Sequence, residues 1–173
     1  MSEYNFKYHP DPIKTGMFKK DQPAACECCG KNTEIFYVGP FYSVEDVERI
    51  CPDCISSGAA AEKFDGEFQD PMSLAKVSDD TKTDELIHRT PGYSGWQQEY
   101  WPAHCDDYCA FVGYVSWQDL VDMGIEKQVL ENYREDICMI PLDSVEEELS
   151  SGMEGYLFQC LHCGKYFLYT DVD

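Results

Sequence analysis

Ten cysteines constrain this chain of 173 residues more than any other feature of its sequence. Six of them form three Cys-x-x-Cys motifs, which begin at Cys26, Cys51 and Cys160. Two thiolates at this spacing reach one metal ion from a tight turn, and a glycine after the motif takes the left-handed conformation that a Cβ resists. A cysteine-rich chain without an export signal usually binds metal rather than forming disulfides. The pattern therefore predicts a metal-stabilised fold.

The first predicted zinc site combines the first two motifs. Cys26 and Cys29 are expected to bind the ion from one turn, and Cys51 and Cys54 from another. The 21 residues between Cys29 and Cys51 slightly exceed the spacing of about 15 to 20 that is usual for paired zinc motifs. Cys28 lies between two ligands of the first motif, so we interpret it as a spare thiol or an alternative ligand.

A second zinc site is predicted at Cys160 and Cys163, where the Cys-x-x-Cys-Gly-Lys sequence of the first motif is repeated. The remaining two ligands are expected to be Cys105 and Cys109, because their i and i+4 spacing places them on one face of a helix. His104 directly precedes this pair and is an alternative to one of the thiolates.

The expected fold class is α+β, with zinc-ribbon-like β-hairpins, short helices and two structural zinc sites. Apolar residues make up 43% of the chain and aromatic residues 14%, which is enough for a packed interior. We treat residues 1–173 as a single zinc-stabilised module, in which 1–70 with the first ribbon and 84–173 with the second site are candidate sub-domains. Cys138 lies in an apolar run and is expected to be a buried small hydrophobe.

The net charge of −20 restricts the partners of this chain. Such a charge repels phosphate backbones and anionic lipids and attracts cationic molecules. We therefore expect a protein partner, of which a basic toxin is one candidate, and neither nucleic-acid nor membrane binding. The sequence has no apolar signal-peptide core and no apolar run long enough for a membrane span, so we expect a cytoplasmic location.

The segment 89–101 is rich in aromatic residues, glycines and amides. One interpretation is that Trp96, Tyr100 and Trp101 pack in the core beside a metal site. The other is that they form a binding surface, since Trp and Tyr often anchor interfaces.

No catalytic motif accompanies the cysteines: we find no serine-centred elbow, phosphate loop or His-Glu-x-x-His. An enzyme would need an open coordination position, which only the second zinc site offers in this pattern. A zinc-handling or thiol redox protein is a further alternative, because residues 51–54 are similar to the Cys-Pro-x-Cys of glutaredoxin-like enzymes. A redox motif normally stands alone after a strand of a βαβ unit, which this pattern lacks.

Eight segments spread over nearly the whole chain carry a resemblance to a known family. They are residues 6–12, 26–31, 39–42, 51–55, 60–66, 90–101, 104–113 and 160–164. These segments resemble the CbrC family of bacterial proteins, a largely uncharacterised group with one member linked to colicin tolerance. The resemblance implies a bacterial origin and a role in tolerance to a protein toxin, and it brings no catalytic residues. The resulting hypothesis is a zinc-binding interaction module that acts in toxin tolerance or immunity.

Overall fold

Short strands and helices follow one another in groups of two or three in a computed structural model that describes Tyr4 and residues 6–172. The elements are β1 (Phe18–Ala25), β2 (Asn32–Tyr37), α1 (Pro52–Ser56), α2 (Ala59–Phe64), α3 (Asp80–Arg89), β3 (Ala103–His104), β4 (Asp107–Tyr108), β5 (Ala110–Val115), α4 (Trp117–Met123), α5 (Glu126–Glu131), α6 (Val145–Ser150), β6 (Gly155–Gln159) and β7 (Tyr166–Tyr169). This mixture of small antiparallel sheets and short helices agrees with the α+β expectation. Within the described part of the chain, no helix is long and apolar enough to cross a membrane.

The first hairpin, β1–β2, packs against the short helices that follow it. Phe18 pairs with Tyr37 at the open end of the hairpin, and Ala25 pairs with Asn32 next to its turn. The buried face of the hairpin joins Ile55 of α1 and other apolar side chains in one core cluster. Hydrophobic burial therefore holds the turn of the hairpin close to the start of α1.

A three-stranded antiparallel sheet in the order β5-β6-β7 organises the second half of the chain. Its side chains alternate between two faces, as the two-residue period of a strand requires. Phe158 belongs to an aromatic cluster on one face, together with Tyr93 and Trp101. Leu157 belongs to an aliphatic cluster on the other face, where Leu120 of α4 also packs. Because both faces of the sheet are buried, the turn between β6 and β7 is held in a fixed position.

Tyr37 links the two halves through its hydroxyl group. The hydroxyl donates a hydrogen bond to the Pro40 carbonyl at 2.8 Å and accepts one from the Gly92 amide at 2.9 Å. Burial raises the pKa of Tyr37 well above its usual range, so the hydroxyl keeps its proton. The link leaves no room for a side chain at Gly92, where a Cβ would approach the Phe68 carbonyl oxygen to 2.6 Å.

Candidate metal centres

Four cysteine sulfurs converge at the turn of the first hairpin. Cys26 and Cys29 lie in the turn between β1 and β2, and Cys51 and Cys54 lie at the beginning of α1. The four Sγ atoms are all within 4.8 Å of one another. The structure thus brings together the four residues that the sequence predicts for the first zinc site.

Backbone hydrogen bonds give the first turn its shape. The Gly30 amide donates to the Cys26 carbonyl at 2.8 Å, and the Cys26 amide donates to the Lys31 carbonyl at 2.9 Å. Gly30 has a φ of 74°, a conformation that a residue with a side chain rarely adopts. Lys63 Nζ donates to the Cys28 carbonyl at 2.9 Å, and the sulfur of Cys28 is not a member of the four-sulfur group.

The distances between the sulfurs suit a tetrahedral zinc ion. Zinc–sulfur bonds of about 2.3 Å at tetrahedral angles place neighbouring sulfurs about 3.8 Å apart. Cys26 Sγ and Cys54 Sγ are 3.8 Å apart, and Cys29 Sγ and Cys51 Sγ are 3.9 Å apart. A disulfide bond is only about 2.0 Å long. The four sulfurs could therefore hold one metal ion, and the pairs Cys26–Cys54 and Cys29–Cys51 are too far apart to be disulfides.

The surroundings of the first group favour the thiolate form of Cys26 and disfavour that of Cys51 and Cys54. Burial opposes charge on Cys26, but hydrogen bonds from the backbone amides of Cys29 and Cys51 outweigh it and lower the pKa of this thiol to about 7. Burial raises the pKa of Cys51 to about 11, and the neighbouring Cys26 contributes to this shift. Burial also raises the pKa of Cys54. A divalent cation would offset the cost of burying these charges, because it stabilises all four thiolates together.

A second group of four donors contains three cysteines and one histidine. Cys160 and Cys163 lie in the turn between β6 and β7, while His104 and Cys105 lie at the tip of the β3–β4 hairpin. Their donor atoms are also within 4.8 Å of one another. His104 Nδ1 is 3.2 Å from Cys105 Sγ and 3.4 Å from Cys163 Sγ. The same nitrogen is 3.4 Å from Cys160 Sγ.

These separations also fit a tetrahedral ion. Bonds of about 2.3 Å to sulfur and about 2.0 Å to nitrogen place the two atoms about 3.5 Å apart, close to the observed nitrogen–sulfur distances of 3.2 to 3.4 Å. Burial opposes charge on Cys160, but backbone amides of Cys163 and His162 and the side chain of His104 lower its pKa to about 6. The donor set and its spacing therefore suit a thiolate-binding metal.

The turn at Cys160 repeats the conformation of the turn at Cys26. The Gly164 amide donates to the Cys160 carbonyl at 3.0 Å, and the Cys160 amide donates to the Lys165 carbonyl at 2.8 Å. Gly164 has a φ of 72°, as Gly30 does to within a few degrees. The repeated Cys-x-x-Cys-Gly-Lys sequence is thus a repeated structural unit.

The segment that supplies His104 and Cys105 is a β-hairpin and not the predicted helix. Cys105 and Asp106 form its two-residue turn, with φ values of 54° and 56°, as in the turns that favour hairpins. Contacts from distant residues hold Asp106 in this conformation. Its carboxylate accepts a hydrogen bond from the Ser78 amide at 2.8 Å, and its carbonyl accepts one from Lys82 Nζ at 2.6 Å.

Cys109 lies outside the second group, although the i and i+4 spacing places it there. Residues at this spacing share a face on a helix, and the hairpin removes that relationship. Cys109 is fully buried in the aromatic cluster of the sheet, beside Trp101. Burial raises its pKa, which favours the neutral thiol. His104 supplies the fourth donor in its place.

Asp107 joins the hairpin to the Cys160 turn. Its side chain is 4% exposed and lies 3.1 Å from Lys7 Nζ. It accepts a hydrogen bond from the Tyr8 hydroxyl at 2.7 Å and pairs with His162 Nε2 at 3.0 Å. Burial opposes its charge, but Tyr8, His162 and Lys7 outweigh it and lower the pKa of Asp107 to about 2. The sequence pattern contains no signal for this role.

The two groups differ in their exposure to solvent. In the first, Cys29 is exposed and the other three cysteines are buried. In the second, Cys105 and Cys163 are exposed. Cys138 is buried, as expected, with its sulfur 3.7 Å from the Leu168 carbonyl.

Similarity to known sequences covers nearly the whole chain. The model of an uncharacterised protein family, UPF0167, matches residues 4–172. UPF0167 proteins of Mycobacterium bovis and Mycobacterium tuberculosis are each 39% identical to this chain, over 96% of its length and 91% of theirs. A UPF0167 protein of Pseudomonas aeruginosa is 34% identical, over 98% of this chain and 96% of its own. No solved structure is significantly similar to the chain.

The matching family carries the UPF0167 name and not the CbrC name to which the sequence segments point. Its description assigns no activity. The two groups of thiolate and imidazole donors make the chain a candidate metal-binding protein. The chain belongs to the UPF0167 family.

Proposed function

We propose that this protein binds two structural zinc ions and that the resulting scaffold is an interaction module. The observation that carries the proposal is the composition of the two groups, each with four thiolate or imidazole donors at tetrahedral spacing. Structural zinc sites use four protein ligands, whereas catalytic sites keep one position open. Each of the two groups contains four protein donors, as a structural site requires.

The donor chemistry supports zinc over other common metals. Calcium and magnesium prefer oxygen ligands, which neither group provides. Tetrahedral sets of four sulfurs, or of three sulfurs and one imidazole nitrogen, are typical of zinc, with iron as the main competitor. Metal analysis of the purified protein distinguishes these two ions directly.

Each proposed ion would connect two parts of the fold. In the first site Cys26 and Cys29 belong to a hairpin turn, and Cys51 and Cys54 belong to the start of a helix. In the second site two separate hairpins contribute the donors. Crosslinks of this kind stabilise small elements that bury little apolar surface on their own, and structural zinc contributes on the order of 10 kcal/mol to such sites.

The test is the zinc content of the purified protein and of two neighbouring variants. We expect two zinc ions per chain in the wild type and one in Cys26→Ser. Cys28→Ser is the matched control, because its sulfur lies outside the group, and it should retain both ions. A protein that contains no zinc but has reducible disulfides would contradict the proposal and favour the thiol redox alternative.

A catalytic zinc at the second site is the second candidate function. The exposure of Cys105 and Cys163 favours it, because solvent can reach this site. Catalysis would require water to replace one of the four protein ligands. Addition of a small thiol or azide to the cobalt-substituted protein should leave the visible spectrum unchanged if the second ion is structural. A spectral change that is lost on mutation of this site would support the catalytic candidate.

We also propose a basic protein partner, with toxin tolerance as the biological setting. The net charge of −20 supports a basic partner, since charge complementarity accelerates encounter. The resemblance of the sequence segments to the CbrC family supports the setting. Survival of a gene-deletion strain and its complemented control on a panel of colicins tests it. Equal survival on every toxin would refute the tolerance role and leave the metal sites unaffected.

A further inference from the structure

Trp96 is a large aromatic side chain that the fold leaves in solvent. It is 66% exposed, whereas Trp101 in the same segment is fully buried. The two interpretations of this aromatic segment therefore apply to different residues. Single exposed hydrophobic side chains are normal on protein surfaces, so the setting of Trp96 decides what it can do.

The backbone that carries Trp96 is fixed by groups in the protein interior. The Trp96 amide donates to the Tyr156 hydroxyl at 3.1 Å, and the Gln97 amide donates to Asp171 Oδ2 at 2.9 Å. Asp171 is fully buried and also accepts a hydrogen bond from the Tyr156 hydroxyl at 2.8 Å. These bonds hold the loop in place while its largest side chain points to solvent. Such preorganisation reduces the entropy lost when a partner binds.

Two open grooves share Trp96 in their linings. One has a volume of about 440 Å³ and includes Met153 and Val172 in its lining. The other has a volume of about 380 Å³ and includes Met17 and Tyr114. Both grooves thus combine apolar surface with access from solvent.

The charges in these grooves are all negative. Glu148 and Asp171 line one groove and Glu154 lines the other. Among the described residues of the two linings there is no lysine, arginine or histidine. Glu154 is exposed and Glu148 is partly exposed, so both carboxylates are accessible to a ligand, whereas Asp171 is used inside the fold.

We propose that Trp96 and its two grooves bind a basic segment of a protein partner, with an arginine or lysine side chain against the indole. Tryptophan is the strongest aromatic partner for such cations. The methylene stems of arginine and lysine pack well on apolar surface while their charges reach carboxylates, here those of Glu148 and Glu154. The inference deepens the interaction proposed above and rests on it, since it names the surface and the chemistry of the partner.

The test measures binding of a fluorescent arginine-glycine-serine repeat peptide to the metal-loaded full chain by fluorescence anisotropy. Trp96→Ala should weaken binding about two- to fivefold, and Trp96→Phe should weaken it less because a ring remains. The double variant Glu148→Gln/Glu154→Gln should weaken it more than Glu146→Gln/Glu147→Gln. The second pair is the matched control, because it removes the same charge from exposed positions outside the two groove linings.

The inference is overturned if the peptide does not bind, or if Trp96→Ala binds as the wild type does and both glutamate pairs have equal effects. The latter result would mean that net charge alone attracts the peptide. Zinc content measured on the same samples separates this inference from the proposed function. Two zinc ions without dependence on Trp96 would refute the inference alone, whereas dependence on Trp96 without zinc would refute only the structural metal sites.

Discussion

The second site is tested most sharply by comparing His104→Ala with Cys109→Ala. The structure includes His104 among the four donors and leaves Cys109 out. We therefore expect His104→Ala to lose the second zinc ion at limiting zinc and Cys109→Ala to keep both. The i and i+4 spacing of Cys105 and Cys109 predicts instead that Cys109→Ala would lose the second zinc ion.

The expected magnitudes follow from what each substitution removes. Cys109→Ala deletes one buried sulfur atom from the aromatic cluster and should reduce the free energy of unfolding by about 1 kcal/mol. Loss of a group that merely hydrogen-bonds a metal ligand weakens metal binding about 10- to 100-fold, and loss of the ligand itself should weaken it more. A hundredfold weaker affinity in excess zinc reduces the free energy of unfolding by about 2.7 kcal/mol. His104→Ala should exceed this value.

Guanidinium unfolding in zinc-buffered solution, followed by circular dichroism, measures both effects on samples of known zinc content. His104→Cys supplies a thiolate at the same position and should recover the second ion. The reasoning is refuted if Cys109→Ala loses zinc while His104→Ala retains two ions per chain.

Three further predictions concern the turns, pH and metal removal. Gly30→Ala should lower the free energy of unfolding by about 1 kcal/mol, because Gly30 has a φ of 74° that a residue with a side chain rarely adopts. A Cβ there would meet no other atom, so the backbone conformation is the only source of this cost. An unchanged melting temperature at fixed zinc would contradict this. His9 is buried between a backbone carbonyl and a threonine hydroxyl, and burial lowers its pKa to about 4 from 6.5. The unfolded chain therefore binds a proton in this range that the folded protein excludes, so the free energy of unfolding should fall by about 2.5 kcal/mol from pH 6.5 to 4 relative to His9→Gln. Parallel pH–stability curves for the two proteins would argue against it. Chelation of zinc should speed hydrogen exchange first at residues 26–31 and 160–165, and uniform exchange across the described chain would count against local metal sites.

The two Cys-x-x-Cys-Gly-Lys turns could be predicted because their conformation depends on adjacent residues. Gly30 and Gly164 take the left-handed conformation, and each turn is closed by hydrogen bonds within six residues. The four cysteines of the first group each belong to a Cys-x-x-Cys motif, so the spacing alone identifies the four that converge.

The β3–β4 hairpin could not be predicted in the same way. Cys105 and Asp106 include neither glycine nor asparagine, the residues that usually indicate a two-residue hairpin turn. Ser78 and Lys82, which are distant in sequence, stabilise the turn through Asp106. A pattern of i and i+4 cysteines assumes a helix, and only the position of His104 beside the pair indicated an alternative ligand.

The aromatic segment shows the same dependence on distant residues. Its composition indicates both core packing and a binding surface, and it has no periodicity that assigns residues to one or the other. Trp101 is buried by the sheet, while Asp171, which is 74 residues from Gln97, holds the loop that exposes Trp96. Tertiary contacts therefore decide between the two interpretations residue by residue.

The central claim is that two structural zinc ions hold this fold, one bound by four sulfurs and one by three sulfurs and the imidazole of His104. Zinc X-ray absorption on a sample with two zinc ions per chain tests this claim most directly. The two groups contain seven sulfur and one nitrogen donors, so we expect sulfur scattering with a weak imidazole contribution that disappears in His104→Cys. A spectrum with oxygen ligands at either zinc, or an imidazole contribution that persists in His104→Cys, would contradict the account.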